Sequence, residues 1–156
     1  MTQQSISDHA APEAEIFAQI HNGFTAVQDV EARCKAAFLP LLCEQGITRV
    51  EIHYDGGGDE GSVSDVFAFA GDTATDLPDI QRDHVALEYS GRISTQAMSL
   101  EDAVTAFADN AVCTHHSGWE NGEGAHGTIE IDVASGAVTL THNTRFIDYE
   151  TSETEL

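Results

Sequence analysis

The chain has almost no positive charge. Of its 156 residues only six are Lys or Arg, Lys35 being the sole lysine, against 27 Asp and Glu and a formal net charge of −21. All charged residues together make up only 21%, so cations are missing more than acids are added. Binding a phosphate backbone requires cations that displace its counterions, which excludes nucleic acid and anionic membrane surfaces as direct partners. A basic partner protein, a bound cation or a salty medium is compatible with this charge. Cysteine is also scarce. Cys34, Cys43 and Cys113 form no C-x-x-C pair and are odd in number, which argues against a disulfide scaffold. No apolar run approaches the roughly 18 residues of a membrane span, and Met1 to Pro12 has neither a basic n-region nor an apolar h-region. The expected setting is soluble, reducing and cytoplasmic. Walker, Rossmann and G-x-S-x-G patterns are missing, which argues against nucleotide and acyl-transfer enzymes, and no H-E-x-x-H strengthens a zinc site.

What is present reads as one domain. A hydrophobic share of 41% with 13 glycines suffices for a core at this length. Residues 1–11 read as a polar tail, 12–150 as the domain and 151–156 as an acidic tail. From Pro12, a favoured first helical residue, Ile16, Phe17, Ile20, Phe24, Val27 and Val30 recur at helical spacing, and Phe38, Leu41 and Leu42 extend the run to a capping Gly46. Asn22-Gly23 and Pro40 interrupt it, predicting two helical pieces or one kinked helix. The period then falls to two: Val50, Ile52 and Tyr54 alternate with polar residues, and Val63 to Phe69 reads as the hairpin partner. Val85, Leu87 and Tyr89 suggest a third strand. Ser99 and Asp102 form a capping box before a helix that carries Leu100, Val104, Phe107 and Ala111 on one face. Ile129, Ile131 and Val133, the turn Ala134-Ser135-Gly136, then Val138 and Leu140 make the clearest hairpin, and Phe146 and Tyr149 suggest a last strand. One-faced alternation predicts a two-layer α+β domain, an antiparallel sheet with helices packed on one face, burying Val50, Ile52, Val85, Leu87, Ile129 and Ile131.

Two acidic, glycine-rich cassettes mark the candidate site, Tyr54 to Gly61 and Gly118 to Gly127, each next to a strand. Carboxylates set among glycines suit a cation or a basic partner, because the backbone there can approach a ligand closely. Asp55, Asp59, Glu60, Glu120 and Glu123 are candidate oxygen ligands for calcium or magnesium, with Asn121 beside them, although the EF-hand spacing is missing. Zinc has weaker support from Cys113, His115, His116 and His126, since adjacent histidines on a helix point apart. An acid/base pair would draw on His53 or His116 with Asp59 or Glu123. Trp119, the only tryptophan, is either an interface anchor or a ring folded back over the sheet edge. His126 completes the second cassette.

The order Gly46-Ile47-Thr48-Arg49-Val50, Gly58-Asp59-Glu60-Gly61, Gly118-Trp119-Glu120-Asn121 with Gly124-Ala125-His126-Gly127, and Asn143-Thr144-Arg145-Phe146 resembles a family of small uncharacterised bacterial proteins common on plasmids and in phage-derived regions. Its pattern reads roughly G-D-S-G, G-W-E-N-N-D-G-A-Y-G and N-E-R-F, and the likeness covers about residues 30 to 150. Glu60 stands where that family often has serine, so no serine nucleophile is implied. Gly122-Glu123 replaces Asn-Asp. The resemblance implies a fold and a site and carries no activity.

Two functions follow as expectations. The first is an acidic, non-enzymatic binding protein that docks a basic partner, itself able to bind nucleic acid. The densest acidic stretch, Asp55 to Glu88, sets nine acids against Arg82 alone and includes Asp72, Asp76, Asp79 and Asp83. Duplex DNA carries a charge per roughly 1.7 Å, so mimicry of it would need the acids on one face; their even spread limits mimicry to a part. The second is a divalent-metal-dependent enzyme, or a metal-stabilised module, using both cassettes.

Overall fold

The structure, a computed structural model, describes residues 11–87 and 92–156, with side chains from residue 28 onward except at 86 and 87. The expected tail lies outside these residues apart from Ala11, as do Glu88 and Tyr89 of the expected third strand. A single helix, α1, runs Ala11–Glu44 and carries Pro40 inside it, so the predicted interruptions do not break it. Its end is a Schellman motif. Gly46, at φ +75°, donates to the Cys43 carbonyl at 3.0 Å, and Ile47 donates to the Leu42 carbonyl at 3.0 Å. Both Leu42 and Ile47 are buried, the apolar contact that accompanies this cap.

Five strands form the main sheet: β1 (Arg49–Gly57), β2 (Glu60–Ala70), β3 (Thr73–Thr75), β6 (Ala125–Asp132) and β7 (Val138–Thr144). Their order is β3-β2-β1-β6-β7, every pair antiparallel, with β4 (Gln81–Leu87) and β5 (Ile93–Ser99) paired separately. The second helix, α2 (Leu100–His115), starts as the capping pattern predicts, the Ser99 hydroxyl accepting from the Asp102 N–H at 3.1 Å. Val50, Ile52, Ile129 and Ile131 point to the helices and are buried, joined by Phe38, Leu42, Val104, Phe107 and Val112. Phe38 of α1 meets Phe107 of α2 edge-on, ring centroids 5.3 Å apart. The molecule is thus α+β, its main antiparallel sheet packed against two helices.

Two expectations are corrected. Val85 lies in the small sheet, not the main one, and is only half-buried, while its neighbour His84 takes the buried position. The Leu87 side chain lies outside the described residues. No strand forms at Phe146 and Tyr149, which are 84% and 79% exposed; apolar residues at 146, 147 and 149 do not alternate, and the chain leaves the sheet at Thr144. β3 and β5 carry too few apolar side chains to be seen by periodicity. Among the described residues no helix is long and apolar enough to cross a membrane.

Candidate functional site

The pairing of Gly57 with Glu60 leaves Gly58 and Asp59 as a two-residue hairpin loop. Their φ values of +61° and +69° are those of a type I′ turn, which demands positive φ twice. Asp59 is the only non-glycine with positive φ among the described residues. This tip docks on the segment that links α2 to β6. Gly58 donates to the Gly122 carbonyl at 2.8 Å and Asp59 to the Glu120 carbonyl at 3.0 Å, so the two cassettes meet through backbone. Glycine is required by contact here: a Cβ on Gly124 would sit 1.8 Å from the Gly56 carbonyl oxygen, and one on Gly61 would sit 2.4 Å from the Trp119 ring.

Arg145 fastens the junction. Its N–H donates to the Gly124 carbonyl at 3.0 Å, its Nη1 to the carbonyls of Gly56 at 3.0 Å and Ala125 at 3.2 Å, and its Nη2 meets Asp55 at 2.9 Å. One guanidinium thereby binds both cassettes, using the planar fork that lysine lacks. Sequence reasoning passed over this residue as a site. The available signal was its place in the Asn143-to-Phe146 motif of a chain with six cations.

Trp119 is 7% exposed and turned inward against Tyr54, ring centroids 5.2 Å apart and nearly perpendicular. It is not a free anchor. Its ring separates two clefts of opposite character. The first, about 350 Å³, is lined by Asp59, Glu60, Asp109, Cys113 and Glu120 with Trp119 as a wall. Burial raises the Cys113 thiol above its ordinary pKa, Trp119 opposing and the nearby Asp109 and Glu120 adding to it, so the sulfur stays protonated.

The second cleft, about 290 Å³, is lined by His116, Ser117, Asn121, His142, Thr144 and Arg145, with Gly118, Trp119 and Gly124. None of the lining residues is acidic. Tyr54 Oη lies 2.6 Å from His142 Nδ1, and burial pushes the Tyr54 pKa up, keeping the phenol protonated. The phenol hydroxyl faces two partners, His142 Nδ1 and the Thr141 carbonyl at 3.4 Å. His142 stacks on His116 with centroids 3.8 Å apart and planes within 7°. Burial, then the neighbouring His116 and His126, lower the His142 pKa below that of a free imidazole.

Of the expected site residues, Asp59, Glu60, Trp119 and Glu120 share the acidic cleft and Asn121 lines the other. Asp55 is turned to Arg145, and the exposed Glu123 meets Gly57 through its backbone. His126 is exposed on β6, and Asp72, Asp76, Asp79 and Asp83 are exposed and line neither cleft. The zinc candidates are dispersed: His115 pairs with Glu31 at 2.8 Å, His116 stacks on His142 and Cys113 faces the acidic cleft. Similarly His53 is bound to Glu51 at 2.8 Å. Among the described residues no group of three or more His, Cys, Asp or Glu is placed to hold a metal ion.

Fold and junction define a class, a helix-backed antiparallel sheet in which a β-hairpin tip is locked onto a helix-to-strand loop. Residues 30–156 match the model of DUF6878, a family of unknown function, and the chain belongs to that family. No curated protein and no solved structure matches the chain.

Proposed function

We propose that this protein is a non-enzymatic binding module that receives basic side chains of a partner protein in its acidic cleft. The observation that carries the reading is the convergence of Asp59, Glu60, Asp109 and Glu120 around Trp119 in one recess. Carboxylates spread over the walls of a recess fit a guanidinium or ammonium group, which is several ångströms wide and donates in several directions. A bare calcium ion needs six or more oxygens at about 2.3–2.6 Å from a single point, a convergence not found among the described residues. The net charge of −21 adds long-range attraction for the same partner, and the exposed Asp72, Asp76, Asp79 and Asp83 contribute through approach rate instead of contact.

The test is titration with an arginine-rich peptide, read by the fluorescence of Trp119. Expected is saturable binding that weakens with salt, falls roughly tenfold or more in the Glu60→Gln/Asp109→Asn double variant, and is slowed in association only by charge reversal of the four loop aspartates. Equal affinity of the double variant and the parent at matched ionic strength would reject the cleft as the docking point.

A further inference from the structure

We propose that the second cleft, between His116 and Arg145, is a binding site for a small oxyanion, a phosphate or carboxylate group. The groups lining it are hydrogen-bond donors or can become so: the His142 and His116 rings, the Ser117 and Thr144 hydroxyls, the Asn121 amide and the Arg145 guanidinium. In a chain with 27 acidic residues, a recess without one carboxylate in its lining is a place where an anion meets little local repulsion.

Arg145 already shares its charge with Asp55, so it supplies N–H groups and little net attraction. The charge that attracts an anion must come from the stacked imidazoles. With the rings 3.8 Å apart, His116 opposes protonation of His142, because adjacent cations repel. The titratable and charged groups around them are Tyr54 from β1, His126 from β6, and Arg145 with its partner Asp55. Tyr54 stays neutral, His126 opposes protonation of His142, and the Arg145–Asp55 pair nearly cancels. An oxyanion in the cleft stabilises a positively charged imidazole beside it, so by linkage it binds more tightly as pH falls.

The same tryptophan reports on this cleft, now with inorganic anions. Sulfate, whose charge is constant over the range, is titrated at about pH 5.5 and about pH 8 at fixed ionic strength set with chloride, and inorganic phosphate is titrated in parallel. Expected is a saturable response at the lower pH, roughly tenfold or more weaker at the higher one. It should be lost in His116→Gln and kept in His53→Gln, which alters a histidine on the other face. Competition by acetate assigns the carboxylate class, and its failure assigns phosphate. Should His116→Gln not fold by circular dichroism, Asn121→Ala is the second variant, expected to weaken sulfate. A response matched by chloride alone, or one that persists in the folded His116→Gln or Asn121→Ala protein, overturns the site.

Discussion

Arg145 and His84 show how much a single side chain carries here. Arg145 holds two carbonyls and a carboxylate from segments far apart in sequence. Hydrogen bonds to a charged group contribute about 1.5–3 kcal/mol, and the exposed ion pair with Asp55 under about 1. Arg145→Met should therefore cost about 2 kcal/mol in urea unfolding and Asp55→Asn clearly less, and Arg145→Lys should recover little because one ammonium cannot span the three acceptors. His84 is the opposite case, 2% exposed with both ring nitrogens lacking a partner among the described residues. Burial lowers its pKa, with Asp83 pulling the other way. The unfolded chain therefore binds a proton near pH 6.5 while the folded one does not. The contribution of His84 is constant above that value and falls as pH drops from about 6.5 toward the folded pKa; the depressed His142 acts in the same direction. His84→Leu should flatten the decline between about pH 7 and pH 5 and raise stability by about 1 kcal/mol, measured by thermal unfolding across pH.

At the scale of elements, the legible parts are those whose local chemistry leaves no alternative. Gly46 after an amphipathic run, Ser99 before Asp102, and Gly58-Asp59 between two alternating segments each specify a cap or turn that forms as written. The unread parts obey tertiary forces. Alternation in β4 favours Val85 as the inward residue, yet the strand pairs only with β5 and packs on α1, where the Cys34 thiol donates to the Val85 carbonyl at 3.3 Å, and His84 faces in. No pattern in Ile93–Ser99 announces a strand whose side chains are mostly exposed or half-buried. The candidate site was legible as two cassettes. Its two clefts were not, because Asp109 of α2 and His142 of β7 carry no local mark of belonging to it. Pro40 remains a local conflict: it is exposed, and it removes one hydrogen bond from a helix that continues past it. Pro40→Ala should raise the melting temperature, the restored bond and lost ring clash, about 3 kcal/mol at most, outweighing the added freedom of the unfolded chain.

For the whole molecule, self-repulsion among 27 acidic residues destabilises the compact state. Sodium chloride should raise the melting temperature steeply up to a few tenths molar, where the screening length falls to about 5 Å, and less beyond. Calcium or magnesium at equal ionic strength separates screening from ligation. Equal gains mean screening alone; an extra gain that vanishes in Asp59→Asn or Glu123→Gln would restore the metal reading. Without metal those two substitutions should be neutral or slightly stabilising, since they remove repulsion and keep shape.

The order β2-β1-β6-β7 is also a statement about time. Each outer pair is a hairpin whose strands are neighbours in the chain, so it closes a short loop, while β1 and β6 pair Arg49 with Asp132 across more than half the sequence. Closing that long loop is the entropically slow event, and contacts that need it cannot form earlier. The Arg145 fork rests on both sides of the seam, so it cannot form before that loop closes. Its loss should leave the refolding rate nearly unchanged and appear almost wholly as faster unfolding. The junction that builds the two clefts can then form only once β1 and β6 have met.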